Sequence, residues 1–420
     1  MLTVVSSGKA IHRTRVRQRK IKRRKPLKSV NLQKIVGIVH KITPRYCDLS
    51  LLIPVLGLVI FGVLMIYSAS NYNAKIYYDD SFYYAVKQLI GLVLGSVGLL
   101  AMYFIDYHWL QKLAWVIFGI AVALLVAVFI PGVSISKLGA TRWIGIGSFS
   151  LQPSEIAKFA LVIFAARIFA GKFKNTVVVK GKDRLPIPKL WQALVVLFGG
   201  GVMCGLIILE PNMSITMTVG IIMFVILFLC GVRLKTMGLI LLPAVATVAV
   251  MLIAAPYRLK RLSAFVDPWA NPKCEGFQLI ESLYAIANGG FWGVGYGHSV
   301  QKNMFLPFSE SDFIFAIIAE EFGLIGCLAL FAVFGWIVYK IFKIGHNCAD
   351  FFGRYLCYGI ATVIMVQTSL NFAVATGSIP PTGLPLPFIS FGGTSLLVFM
   401  SAIGVVLNVH KQNKRENLVL

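Results

Sequence analysis

Residues 50–70 read SLLIPVLGLVIFGVLMIYSAS, without one charged side chain. Crossing the hydrocarbon core of a bilayer as a helix takes about 20 mostly apolar residues. Inside it every backbone polar group has to be satisfied within the segment. Working outward from this run, similar stretches follow at about 84–105, 109–130, 154–170, 190–209, 213–231, 236–255, 312–339, 352–377 and 386–408. The fold class this predicts is an all-α polytopic membrane protein with about ten transmembrane helices. The run at 154–170 is short, and those at 312–339 and 352–377 are long enough to tilt or to extend past the lipid. Pro54, Pro131, Pro153, Pro211 and Pro256 lie at or near run ends, where proline is tolerated in a first turn or stops a helix.

Composition agrees. Of 420 residues, 58% are hydrophobic and 13% charged, whereas soluble domains run near 45–50% apolar and about 25% charged. A chain with so little polar surface needs an apolar solvent. The seven cysteines show no metal-ligand spacing, most lie inside apolar runs, and only Cys274 falls in the large outer loop. No disulfide framework is expected.

The net charge of +24 is uneven, because residues 1–45 hold 14 Lys and Arg and no Asp or Glu. Residues 1–48 read as a basic, disordered cytoplasmic tail held near anionic lipid; a nucleic-acid partner is not expected. The transmembrane domain spans 49–410, and 411–420 form a short cytoplasmic tail. Lys and Arg cluster in the loops that put 171–189, 233–235 and 340–343 on the same side as both termini. By the positive-inside rule that side is the cytoplasm. Two large segments, 131–153 and 256–311, then lie outside, the second between helices 7 and 8, with a short Pro-rich one at 378–387. Trp143, Trp269 and Trp292 sit in or beside them, as interfacial aromatics do.

Chemistry-bearing residues gather on this outer face. Asp312 opens the eighth apolar run, where an apolar setting raises a carboxylate's pKa toward general-base range; helix capping by Ser311 or Asp312 is the plain alternative. Glu320 and Glu321 lie about two turns deeper, and ionisable groups inside a span mark function by default. Glu155 and Lys158 are spaced i,i+3, as a buried pair would be. Arg142 has no acidic neighbour in sequence, and a guanidinium suits pyrophosphate. Arg258, Lys260 and Arg261 add positive charge. Gln367, Asn371, Ser390, Thr394 and Ser395 form a buried polar set. The glycines at 293, 295 and 297 lack the strand and βαβ context of a dinucleotide site and read as a looped segment where backbones pack closely. On these residues alone, three readings stand open. They are an enzyme acting on an anionic lipid-linked substrate, a transporter or flippase of such a lipid, and a scaffold without catalysis.

Several stretches then come together in one order: Gly139-Ala140-Thr141-Arg142-Trp143 with Gln152-Pro153-Ser154-Glu155-Ile156-Ala157-Lys158, Glu210-Pro211-Asn212, Asp267-Pro268-Trp269, Gly293-Val294-Gly295-Tyr296-Gly297-His298-Ser299 with Gln301-Lys302, Asp312-Phe313-Ile314-Phe315-Ala316 with Glu320-Glu321, and the run from Pro380 to Gly393. Over residues 50–410 the chain resembles the SEDS family (shape, elongation, division and sporulation). The basic tail, Asp267-Pro268-Trp269 and Ile379-Pro380-Pro381-Thr382-Gly383 look more like its division branch (FtsW-type) than its elongation branch (RodA-type).

The resemblance implies a ten-helix peptidoglycan glycosyltransferase. Such an enzyme polymerises lipid II on the outer face of the cytoplasmic membrane during division, together with a class B penicillin-binding protein and other divisome proteins. It places the catalytic carboxylate at Asp312. It suggests substrate or pyrophosphate contacts at Arg142, Glu155, Lys158, Arg258, Gln278, Ser299 and Lys302. Loop-shaping roles fall on Asp267, Gly293, Gly295, Gly297, Pro387, Ser390, Gly392 and Gly393. The residues fix no cofactor; a divalent cation, magnesium or manganese, could stabilise the leaving pyrophosphate, although no carboxylate cluster demands one. Four positions depart from the family pattern. Glu310 stands where His is usual, Asn212 where Asp is, His298 where Asn is, and Phe391 where Tyr is.

Overall fold

The computed structural model describes residues 47–137, 140–146, 149–171, 188–240, 242, 262–272 and 276–419. The basic tail, the 172–187 linker, Arg258, Lys260, Arg261, Gly139, Gly147, Cys274 and most of the expected span at 236–255 lie outside these residues.

Helix formation follows the apolar runs. The elements are α1 (Leu49–Tyr78), α2 (Tyr83–Phe104), α3 (His108–Ala127), α4 (Pro153–Ala170), α5 (Leu190–Leu209), α6 (Met213–Leu229), α7 (Phe277–Gly289), α8 (Ile314–His346), α9 (Phe351–Ala375) and α10 (Gly393–Val419). Among the described residues, α1, α2, α3, α5, α8, α9 and α10 are long and apolar enough to cross a membrane, and α6 is a shorter apolar helix. Local caps match the sequence. Asp48 accepts from the Ser50 N–H, Pro153 occupies the first turn of α4, Asn212 accepts from the Ile215 N–H, and Asp350 accepts from the Gly353 N–H. Asn caps as well as Asp does, so the Asn212 departure costs α6 nothing.

Three features differ from the sequence reading. The 131–153 segment carries a small antiparallel sheet, β1 (Ser134–Lys137), β2 (Ala140–Ile146) and β3 (Phe149–Leu151), in the order β1-β2-β3. Ser134 pairs with Ile144, Ile135 with Trp143, and Ile144 with Leu151. The 256–311 segment, expected to be a loop, contains the amphipathic helix α7. The last helix begins at Gly393 rather than at 386. Pro380, Pro381, Pro385 and Pro387 deny donors and α-region backbone to the preceding stretch, so residues 380–392 form a packed, non-helical turn.

Burial sorts the helices into an inner and an outer set. α4, α9 and α10 are enclosed on nearly every side, and α1 to α3 turn apolar residues such as Ile53, Ile60, Val93, Val97, Trp115 and Val116 outward. Outward apolar side chains are expected where the solvent is lipid. Helix association in lipid relies on close backbone approach at small residues. A Cβ on Gly404 of α10 would lie 2.3 Å from the Leu99 carbonyl oxygen of α2, while a Cβ on Gly201 of α5 would meet nothing within 4 Å. Gly404→Ala should therefore lower stability by about 1–3 kcal/mol, read as a fall in the thermal unfolding midpoint in detergent. Gly201→Ala should leave that midpoint unchanged or slightly raised.

Candidate active site

α8 is not continuous. Gly323 adopts φ 64° and ψ −164° about two and a half turns into it, which releases backbone groups from the helical ladder. The segment after α7 takes them up. Val294 N–H donates to the Glu320 carbonyl (2.9 Å), Gly295 N–H to the Glu321 carbonyl (3.0 Å), and Leu324 and Ile325 N–H donate to the carbonyls of Gly290 and Phe291. Gly293 (φ 81°) is required here, since a Cβ would sit 2.3 Å from the Glu321 carbonyl oxygen. The glycine series is thus a loop of close backbone packing, with Gly295 and Gly297 also at positive φ.

The two glutamates hold the same segment. Ser299 Oγ and the Val300 and Gln301 N–H groups donate to the Glu320 carboxylate, as does Asn288. Lys302 Nζ lies 3.0 Å from Glu321 Oε1, which also accepts from Ser68 Oγ at 2.6 Å. Lys302 and Glu321 are both buried. Ser299 and Lys302, expected to touch substrate, spend their polar atoms on Glu320 and Glu321. Gln278 lies half-buried on α7, and Asp267 accepts from the Trp269 and Ala270 N–H groups to shape a single 3-10 turn.

From Met304 to Asp312 the chain runs without helix or strand. Met304 and Phe308 have positive φ, a conformation non-glycine residues adopt only when their surroundings impose it. At the end of this run three successive carbonyls are gripped. Phe391 N–H donates to the Glu310 carbonyl (2.9 Å), Ser390 Oγ to the Ser311 carbonyl (2.6 Å), and Asn371 Nδ2 to the Asp312 carbonyl (2.9 Å). Gln88 of α2 holds the same turn through the Ser390 carbonyl and the Gly392 N–H. A Cβ on Gly91 would lie 3.2 Å from the Gly393 Cα. Pro387 is buried beside them. Gln88 escaped the sequence reading; its signal is a lone amide in the apolar run of α2.

Asp312 does not cap α8. Phe313 occupies the N-cap position and no side chain caps the helix, so the capping role has no geometric support. The Asp312 carboxylate is half-buried, and a Cβ on Gly383 would lie 3.2 Å from its Oδ2. Burial, followed by the negative charge of Glu310, pushes its pKa up to about 6, against the Ser311 hydrogen bond and the Arg142 charge. Arg142 is not the free guanidinium its sequence neighbours suggest. Its Nε donates to the Glu210 carbonyl (3.4 Å) and its Nη2 to the Pro211 carbonyl. Beneath it the Glu210 side chain is fully buried, and burial pushes its pKa up to about 8 against the pull of Arg142. Lys158 pairs with Glu155 at 2.7 Å and also donates to Gln367, all three fully buried. Among the described residues no three His, Cys, Asp or Glu side chains are grouped so as to hold a metal ion. Arg142 supplies the fixed positive charge near Asp312.

A family model described as "Cell cycle protein", covering FtsW, RodA and SpoVE, matches residues 49–415. The chain belongs to this family. Stage V sporulation protein E of Bacillus subtilis is 37% identical over 371 residues, which cover 87% of this chain and 98% of that protein. A protein of Saccharophagus degradans named "Probable peptidoglycan glycosyltransferase FtsW" is 36% identical, covering 89% and 95%. Among solved structures, a chain from "Structural coordination of polymerization and crosslinking by a peptidoglycan synthase complex" aligns with a TM-score of 0.70 and 26% identity, over 88% of this chain and 99% of that one. The Thermus thermophilus RodA structure shares the fold, with a TM-score of 0.63, 24% identity, and coverage of 88% and 98%.

The buried pair at Lys302 sets up a stability test for this family member. Lys302→Met leaves the Glu321 carboxylate buried without its cation, which should cost about 3–5 kcal/mol. Adding Glu321→Gln should restore much of the loss. Thermal unfolding of the two variants beside the parent decides it, and equal midpoints for both would show the pair to be irrelevant.

Proposed function

We propose that this chain is the peptidoglycan glycosyltransferase of septal wall synthesis, joining lipid II units into glycan strands at the outer membrane edge. Support comes from family membership and from relatives named for that activity. The observation that carries the chemistry is Asp312, a half-buried carboxylate with its pKa pushed up to about 6, free of any capping duty. In this reading the 4-hydroxyl of the acceptor sugar attacks the anomeric carbon of the donor. The new C–O bond forms as the bond to phosphate breaks, the electron pair departs on undecaprenyl pyrophosphate, and the hydroxyl proton passes to Asp312. Arg142, set by the Glu210 and Pro211 carbonyls, stabilises negative charge growing on the leaving pyrophosphate. Lys158 is already committed to Glu155 and Gln367 and acts through them. Both termini are cytoplasmic, the sheet and the 262–313 segment lie outside, and a class B penicillin-binding protein crosslinks the product.

Asp312→Asn keeps the size and hydrogen-bonding capacity of the side chain and removes the base. Polymer formed from fluorescent lipid II, with the cognate transpeptidase present, should fall on the order of 10²- to 10⁴-fold while the melting temperature stays close to the parent's. A rate within a few-fold of the parent ends the general-base assignment.

The Glu310 departure has its own signature. A base works when ionised, so the rate rises as pH passes the Asp312 pKa. Glu310→Gln removes the negative neighbour, Asp312 then ionises more easily, and its pKa falls. The acid limb of the pH–rate profile should move to lower pH. Arg142→Gln should move it the opposite way, on top of a lower maximal rate. An acid limb at the same pH in Glu310→Gln would show that Glu310 does not face the base.

A further inference from the structure

The segment that delivers Asp312 has no regular structure of its own, and two of its residues stand at positive φ. Its geometry is therefore imposed from outside. One buried side chain reaches both sides of the Asp312 carboxylate. Asn371 of α9 spends its two amide hydrogens on two carbonyls, that of Asp312 at 2.9 Å and that of Leu384 at 2.7 Å. Leu384 follows Gly383, the residue packed against Asp312 Oδ2. The amide thus ties the backbone of the carboxylate to the wall its carboxylate touches. One turn earlier on the same face of α9, Gln367 donates to the Pro385 carbonyl at 2.7 Å and accepts from Lys158, itself paired with Glu155. Both amides are buried, 0% exposed for Gln367 and 1% for Asn371. The buried Glu155–Lys158 pair, the Pro-rich turn and the Asp312 backbone are therefore joined through one face of one helix.

We propose that Asn371 is a positioning residue for glycosyl transfer, holding Asp312 and the Leu384 wall at their working separation. Ser390, which accepts from the Leu386 N–H (2.7 Å) and donates to the Ser311 carbonyl (2.6 Å), assists from the other side of the turn. This rests on Asp312 being the base. The Asn371 amide never meets the carboxylate itself; it fixes the backbone from which the carboxylate extends and the surface it lies against. A displacement of about 1 Å at a reacting group costs on the order of 100-fold in rate, while lipid II binding draws on many contacts that Asn371 does not make.

Asn371→Leu keeps the volume and removes both donors. With full-length protein, its partner transpeptidase and lipid II over a range of concentrations, kcat should fall roughly 10- to 100-fold with KM within about twofold and the melting temperature within a few degrees of the parent's. A role in the fold alone would instead lower the melting temperature and leave the kcat of the surviving folded fraction intact. In the Asp312→Asn background the same substitution should add no further loss, because there is no base left to misplace. Parent-like kcat in Asn371→Leu, a loss carried by KM, or a full additional loss in the Asp312→Asn background overturns the proposal. Should Asn371→Leu fail to insert stably, Ser390→Ala decides by the same criteria from a different segment. The Asp312→Asn single variant reports separately on the base: its activity within a few-fold of the parent defeats that reading whatever Asn371 does.

Discussion

The break in α8 at Gly323 is the constraint on which the region around Asp312 depends. In hydrocarbon an unpaired carbonyl or N–H costs several kcal/mol, so a helix can be interrupted there only if another segment supplies the missing partners. Residues 290–295 do so, with backbone bonds to Glu320, Glu321, Leu324 and Ile325. The pairing works in both directions. It repairs the helix, and it pins the otherwise irregular segment after α7 to the bundle. Glycine is needed on both sides because two backbones meet there, with a Cβ on Gly323 falling 2.4 Å from the Gly293 nitrogen. From that anchor the chain runs through Ser299, Lys302 and Ser309 to Asp312, each of the three bonded to a neighbouring element on the way.

Charge burial divides the ionisable residues into two kinds. Glu155 with Lys158, and Glu321 with Lys302, are paired and buried. Such pairs return little net stability against apolar residues of equal volume, yet removing one partner is expensive, so they enforce one arrangement of the helices that carry them. Asp312 and Arg142 belong to the second kind. Both are half-buried, and the Arg142 charge acts on Asp312, pulling its pKa down against burial and Glu310. A carboxylate in that setting keeps a pKa near the working pH, where a base is most useful.

Much of this was legible before any coordinates. The apolar runs marked where the long described helices lie, because a bilayer leaves few alternatives to a helix of about 20 residues, but α1 and α8 run eight and seven residues past the expected ends, α10 is shifted toward the C-terminus, and α7 was not foreseen. The i,i+3 spacing of Glu155 and Lys158 marked their pairing, and the odd-numbered glycines from 293 marked a close backbone contact. What escaped is non-local. The three short strands at 134–151 pair through turns rather than through a periodic pattern, and strands of three to seven residues carry little signal. Nothing near Arg142 in sequence announces the Glu210 and Pro211 carbonyls, 68 and 69 residues on. Ser299 and Lys302 were recognisable as special but not as partners of glutamates 19 to 21 residues away. The likeness of a residue to a family motif marks its importance and leaves open whether it touches substrate or holds the scaffold.

A broken helix bearing two carboxylates also describes many transporters, in which freed backbone and charge at the break coordinate the cargo. The break here lies roughly 14 Å along the axis from the start of α8, deep enough for such a role. Its groups, however, are occupied by the chain itself. Both Glu320 oxygens accept from protein donors, as does Glu321 Oε1, and four backbone groups flanking Gly323, the carbonyls of Glu320 and Glu321 and the N–H groups of Leu324 and Ile325, bond to residues 290–295. Of these four carboxylate oxygens, Glu321 Oε2 alone has no partner among the described residues. To serve as a cargo site, this cluster would have to give up the contacts that hold the segment after α7 in place. At Asp312 the allocation is reversed. Surrounding donors grip the backbone carbonyls of Glu310, Ser311 and Asp312, and the carboxylate itself, with a hydrogen bond from Ser311 and Gly383 beside Oδ2, has its pKa pushed up to about 6. The cluster at the break is used to hold a frame while the Asp312 side chain is kept available, which is the division of labour the proposed glycosyl transfer calls for.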